Sequence, residues 1–264
     1  MSDVLRLPGI DSESLIVIFG GGGVLGAELA VALTAADARV AVVGRTQESL
    51  DAVAARCGPG ANVLAVQGDV GSRKSVEAAV RRVRAEVGAP TGMVNMAGVI
   101  GRPLSTDEVD EAEIAALSAV NLAGSFEAVR AVAPSMREHG AGSIVLVSSV
   151  AAHRARGGSP FYGATKAGVL RLTQQFAHEF GTDGIRVNSL SPGQTPTQLA
   201  YWDGRGDDPS AAPAPSPGKA AKVPLRRRGT AEDYVGPALF LLSDLSGYVT
   251  GVDLPVDGGL LACL

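Results

Sequence analysis

The chain has 264 residues, 46% hydrophobic and 19% charged, a length that fits one α/β domain and a composition too apolar for a disordered chain. Its 23 basic and 27 acidic residues leave a formal charge of −4, so neither nucleic acid nor a membrane is expected as a partner. The 2 cysteines, Cys57 and Cys263, exclude a disulfide framework and point to a reducing, cytoplasmic setting, while 34 glycines without a period of three exclude collagen. Met1–Glu13 lacks the cationic start and apolar stretch of a signal peptide, and the apolar runs read as too short for the ~20 residues of a membrane span.

In chain order, short apolar runs alternate with helical patterns. Leu15–Phe19 reads as a strand covered on both faces, and Ala27–Ala36 as a helix. Arg39–Val43 is a second strand, followed by a helix at Gln47–Arg56 with Leu50, Val53 and Ala54 on one face. Asn62–Val66 predicts a third strand and Ser72–Val87 a third helix. Gly92–Asn95 predicts a fourth strand, and Glu111–Glu138 one long helix. Gly142–Ser148 and Ile185–Leu190 predict strands around a helix at Phe161–Phe180. A helix at Glu232–Leu242 and a strand near Val252–Val256 close the chain. Such alternation predicts βαβ units: an α/β, Rossmann-like, doubly wound parallel sheet in a single domain spanning 1–264. The segment Gln194–Thr230 breaks the rhythm, with Pro209, Pro213, Pro215, Pro217 and Pro224 among its residues. It leaves the carboxyl end of a strand, where ligands of open α/β sheets sit, so a substrate lid is expected; a tolerated surface insertion is the other reading.

Gly20-Gly21-Gly22-Gly23-Val24-Leu25-Gly26 lies between the first strand and first helix, and Gly21, Gly23 and Gly26 satisfy G-x-G-x-x-G. Glycines there let the backbone approach a pyrophosphate, and the helix N-terminus supplies amide donors. The second strand ends in Val43-Gly44-Arg45-Thr46 with no carboxylate for a ribose 2′-hydroxyl. Arg45 and Thr46 therefore favour NADP(H), with NAD(H) as the alternative and a solvated Arg45 as the plain one. Asp69, followed by Val70, either accepts from an adenine amino group or caps its own turn.

Tyr162 and Lys166 are four apart at the start of a helix and emerge on one face; Ser149 sits just past the fifth strand. A free tyrosine titrates near ~10, and a neighbouring ammonium favours its phenolate. Tyr162 is then placed to give or take a proton while the serine hydroxyl holds a substrate oxygen. A nicotinamide would carry the hydride, and no metal is called for.

Together with Asn95-Met96-Ala97-Gly98, Asn121, Tyr162-Gly163-Ala164-Thr165-Lys166, Ser191-Pro192-Gly193, Thr197 and Pro255-Val256-Asp257-Gly258-Gly259, these motifs make the chain resemble the short-chain dehydrogenase/reductase family from Leu15 to about Leu260. The resemblance implies Tyr162 as acid/base, Lys166 as the residue that lowers its pKa and binds the nicotinamide ribose, Ser149 as carbonyl polariser, and Asn121 as organiser of a proton-relay water. It implies a cofactor surface of Gly20, Gly22, Gly23, Val24, Leu25, Gly26, Arg45, Thr46, Asp69, Val70, Asn95, Ala97, Gly98, Tyr162, Lys166, Pro192, Gly193, Thr195 and Thr197.

The family usually has a threonine where this chain has Phe19, a glycine at Val24, and a second asparagine at Met96. An apolar tie between Phe19 and Met96 is expected to replace the usual polar one. The implied substrate is a small carbonyl or alcohol compound. Val24 and the long lid are similar to a subgroup acting on sugar acids such as mannonate and fructuronate. A biosynthetic ketone or β-ketoacyl group is the second candidate.

Arg102, His153, Arg154 and Arg156, in the segments expected to line the pocket, are compatible with an anionic substrate and equally with solvated loops. A dinucleotide-binding sensor or scaffold is the non-enzymatic alternative. The resemblance also implies a homo-oligomer, tetramer or dimer, through helices around Glu111–Met136 and Tyr162–Phe180. The apolar tail Leu260–Leu264 packs either at such an interface or on its own core.

Overall fold

The computed structural model describes residues 7–155, 159–195 and 220–263. Seven strands form one sheet in the order β3-β2-β1-β4-β5-β6-β7: β1 Leu15–Phe19, β2 Arg39–Gly44, β3 Val63–Gln67, β4 Gly92–Asn95, β5 Gly142–Val147, β6 Ile185–Pro192 and β7 Asp253–Val256. Every adjacent pair is parallel. Helices α1 Val24–Ala35, α2 Gln47–Arg56, α3 Arg73–Glu86, α4 Glu111–Leu117, α5 Gly124–His139, α6 Pro160–Phe180 and α7 Val235–Leu242 cover both faces. The strand order reverses between β1 and β4, and such a switch point opens a crevice at the carboxyl ends of the strands.

The pleat decides which side chain feeds which core. Leu15, Val17 and Phe19 of β1 join the core under α3, α5 and α6. Ile16 and Ile18 join the one under α1, α2 and α7, and Met96, just past β4, packs against that same core. Phe19 and Met96 therefore point to opposite faces of the sheet, and the expected apolar tie between them does not form. The two segments are joined instead by the Met96 amide, which donates to the Phe19 carbonyl at 2.9 Å.

Among the boundaries that differ from the sequence reading, three do so for identifiable reasons. The α1 helix begins at Val24, because the Gly23 carbonyl already accepts the Ala27 amide at 2.9 Å. The final helix is preceded by a 3₁₀ turn at Glu232–Tyr234. The long helix expected over Glu111–Glu138 is interrupted at Ser118–Ala123 by a π-turn, in which the Gly124 amide reaches back to the Ala119 carbonyl.

The combined run Glu111–His139 is long and apolar enough to cross a membrane by length and composition, contrary to the expectation that every apolar run is too short. Here it packs as a core helix: Val129, Val132, Ala133 and Met136 are buried under the sheet. Its outer side carries the Arg130–Glu127 and Arg137–Asp183 ion pairs. At the C-terminus Leu260 folds back on Val150 and Val223 of its own chain.

Candidate active site

The first turn of the crevice is built from backbone. Gly20 has φ +74, and a Cβ on it would lie 2.6 Å from the Ala97 amide nitrogen, so the β1 turn can approach the β4 segment only without a side chain. A Cβ on Gly26 would lie 2.5 Å from the Gly20 carbonyl, which brings α1 equally close to the turn. Gly23 caps α1 without a side chain, and the first turn holds no acidic residue. The amides of Val24, Leu25 and Gly26 therefore end the helix with no intrahelical acceptor and no competing carboxylate. The cradle fits a pyrophosphate group, and these first-turn amides would hold it.

Around the cradle, Arg45 and Thr46 are exposed just past β2, and the Arg45 carbonyl accepts from the Gln67 side-chain amide at 2.8 Å. Asp69 is half-buried. Its carboxylate accepts the Gly71 amide at 2.9 Å and its own amide donates to Ser75 Oγ at 2.9 Å, so it closes its turn; Val70 beside it is buried. Asn95 is buried, with Oδ1 accepting from Ala97 N at 3.2 Å and Nδ2 donating to Ser125 Oγ at 3.1 Å.

Asn121 is the hub of the polar interior. The π-turn swings it inward, where Oδ1 accepts from the Val99 amide and Nδ2 donates to the Val99 carbonyl, both at 2.9 Å, and to Thr165 Oγ1 at 3.1 Å. Its own carbonyl accepts Ser125 Oγ at 2.7 Å.

Lys166 is 3% exposed, and its ammonium donates to the Val147 carbonyl at the end of β5 at 2.9 Å. Burial pulls its pKa from 10.5 down to about 8. The same ammonium lies 5.9 Å from the centre of the Tyr162 ring. Gly98 fixes its relation to Asn121: a Cβ there would lie 3.2 Å from Lys166 Nζ and 3.3 Å from Asn121 Oδ1. Tyr162 is buried in an apolar cluster with Val99, Ile100, Leu117 and Ala151. Ser149, also buried, caps the 3₁₀ turn Val150–Ala152 by accepting the Ala151 amide at 3.1 Å, and that turn packs against α6.

The structure thus gathers Gly98, Asn121, Tyr162 and Lys166 in one place, with Ser149 on the turn that adjoins them. Pro192, Gly193 and Thr195 continue from the carboxyl end of β6; Thr197, Arg156 and most of the expected lid lie outside the described residues.

Two of the four cations expected to line the pocket are committed to carboxylates. Arg102 pairs with Asp110 and with the fully buried Glu113, each at 2.9 Å, and His153 Nε2 lies 2.8 Å from Asp253. Arg102 is a neutralised side chain rather than a free anion receptor.

The sequence reading missed several partners. Ser148 Oγ donates to the Lys166 carbonyl at 2.8 Å, and Thr165 bonds both the Tyr162 carbonyl and Asn121. Ser159, held at φ +56, ties the start of α6 to the carbonyls of Gly101 and Arg102. Thr165 stood inside the quoted Tyr162–Lys166 motif. The others carry no local signal.

A parallel sheet whose glycine turn opens α1 beside the switch point, with a buried Tyr–Lys pair over its carboxyl edge, defines an oxidoreductase of the dinucleotide-binding type. A family model described as enoyl-(acyl carrier protein) reductase matches residues 23–261. Levodione reductase of Leifsonia aquatica is 34% identical over 256 residues, covering 94% of this chain and 94% of that protein. A crystal structure of levodione reductase superposes with a TM-score of 0.88 at 32% identity, covering 96% of this chain and 100% of that one. A gluconate 5-dehydrogenase from Burkholderia cenocepacia J2315, solved in complex with NADP and tartrate, superposes at 0.86 with 32% identity over 99% of both chains. The chain belongs to the short-chain dehydrogenase/reductase family of NAD(P)-dependent oxidoreductases.

Proposed function

We propose that the protein interconverts a small neutral ketone and its alcohol, with NADP(H) preferred over NAD(H). The observation that carries the reading is the buried Lys166 ammonium beneath Tyr162, beside Asn121 and Ser149. A bound nicotinamide would supply or accept the hydride. In the reductive direction the Tyr162 hydroxyl gives its proton to the substrate oxygen, and Ser149 Oγ donates a hydrogen bond to that oxygen. Lys166 favours the tyrosinate that remains, and Asn121, held by its Val99 and Thr165 bonds, orients the path by which that proton is restored.

Exposed Arg45, in a strand end that lacks a carboxylate, supports reading of a 2′-phosphate. Neutrality of the substrate is supported by the apolar wall of Val99, Ile100, Leu117 and Ala151 around Tyr162 and by the pairing of Arg102 with Glu113. A sugar acid would need a cation that this wall does not offer. Segment 194–230 is read as the lid over this cleft. Exposed Ile114 and Phe126 on the long helical run support a homo-oligomer, and the free thiols of Cys57 and Cys263 support a reducing, cytoplasmic site of action.

Fluorescence titration with NADPH and NADH side by side, followed by a screen of cyclic ketones against sugar acids, tests the reading. Tighter NADPH binding and turnover of the neutral ketones are expected. Binding of neither cofactor overturns the proposal, and binding without turnover of any alcohol or carbonyl compound returns the protein to the sensor class.

A further inference from the structure

Tyr234 is among the largest fully buried side chains of the chain, yet it carries a hydroxyl and belongs to none of the motifs above. It belongs to the core shared with Ala27, Leu29, Ala30 and Leu33 of α1, and the turn that carries it packs against that helix, whose first turn would form the phosphate cradle. Its hydroxyl is hydrogen-bonded to Thr195 Oγ1, on the segment that leaves β6. The fit around the pair is close: a Cβ on Gly229 would lie 2.8 Å from the Tyr234 hydroxyl and 3.1 Å from Thr195 Oγ1. The same segment is pinned from two other sides. The Gly193 amide donates to the Val256 carbonyl at 3.0 Å, and the Gly229 amide to the Gln194 carbonyl at 2.9 Å. A buried tyrosine hydroxyl without a partner would cost more than its ring gains over phenylalanine, so its retention points to what it holds.

We propose that Tyr234 and Thr195 form a strut between the two ends of the cofactor site. The ring is seated on the helix that faces the pyrophosphate, and the hydroxyl fixes the Pro192–Thr195 segment against which the nicotinamide end lies. The inference rests on the cofactor reading above. Tyr234 is a positioning residue. Without its hydroxyl the segment must be ordered at the moment of binding, and that ordering cost falls on the nicotinamide half alone.

The variants Tyr234→Phe, Thr195→Val and their combination preserve shape and remove one or both hydroxyls. Each is titrated with NADPH and with 2′-phospho-ADP-ribose, which lacks the nicotinamide, beside wild type; if wild type prefers NADH, that cofactor and ADP-ribose replace them. Loss of one hydrogen bond corresponds to a roughly three- to ten-fold rise in Kd for the full dinucleotide. The expected result is that rise in both single variants, an unchanged Kd for the fragment, and no further loss in the double variant. Equal weakening of both ligands, an unchanged dinucleotide Kd, or single effects that multiply in the double variant would overturn the strut. Wild-type protein that binds neither ligand defeats the cofactor reading itself and the strut with it, an outcome separable from failure in the variants alone.

Discussion

Replacing Lys166 with methionine should make the folded protein more stable at neutral pH while it cripples turnover. The ammonium sits on a side chain only 3% exposed, and burial brings its pKa from 10.5 to about 8. At 1.36 kcal/mol per pH unit, that displacement means the folded state carries the charged form at a cost of about 3 kcal/mol. Methionine keeps the stem and removes the charge. It also leaves the Val147 carbonyl without its donor, a loss of about 2 kcal/mol for a charge-assisted bond. The balance favours Lys166→Met by about 1 kcal/mol at pH 7, or roughly 2–4 °C in Tm for a chain of this size.

The pH dependence carries the sharper signature. Between about 8 and 10.5 the unfolded chain still holds the lysine proton and the folded chain has released it. The unfolded state binds more protons there, so wild-type stability climbs with pH relative to the variant. By pH 10 the gain reaches about 2–3 kcal/mol, and the order of the two proteins reverses. Urea denaturation of both at pH 7, 8.5 and 10 reads the difference directly. A variant less stable at pH 7 by a margin that stays flat to pH 10 would refute the reasoning.

Tyr162→Phe should lower kcat by about 10²–10⁴, the usual worth of a positioned acid/base, with the cofactor Kd from titration within two-fold of wild type. Arg102→Met should cost about 3 kcal/mol in denaturant unfolding, because it strands the buried Glu113 carboxylate; adding Glu113→Met should recover most of that loss. Phe19→Thr and Met96→Asn should destabilise additively within about 0.5 kcal/mol, since the two side chains enter opposite cores; a larger coupling in the double-mutant cycle would mean that they touch after all.

Strands buried on both faces announce themselves as unbroken apolar runs, which is why Leu15–Phe19 has the same limits in sequence and structure. Gln47–Arg56 was legible for a different reason: its amphipathic stripe begins just after Thr46 and ends before the Gly58-Pro59-Gly60 break. That Asn121, Tyr162 and Lys166 lie together was legible only through the order and spacing of several motifs at once, since no one of those residue types is informative alone. What escaped is set by distant partners. The apolar tie between Phe19 and Met96 was inferred from motif positions, and the alternation of the pleat decided otherwise. Arg102 read equally as an anion site or a solvated loop residue, and its ion pair with Glu113 depends on the loop fold; Thr195 and Tyr234 stand 39 residues apart with nothing local to couple them.

The widened turn at Ser118–Ala123 makes the run Glu111–His139 a helix of two phases. A helical wheel drawn from Glu111 assigns faces correctly only as far as Leu117, and beyond Gly124 the count must restart. The inward asparagine is therefore a property of chain length as much as of residue type. Deleting a single residue from the turn would let it relax into regular α-helix with its backbone ladder intact, yet would withdraw Asn121 from Val99. Two chains that differ by a one-residue gap across this point can therefore both carry the asparagine and still differ in which way it faces.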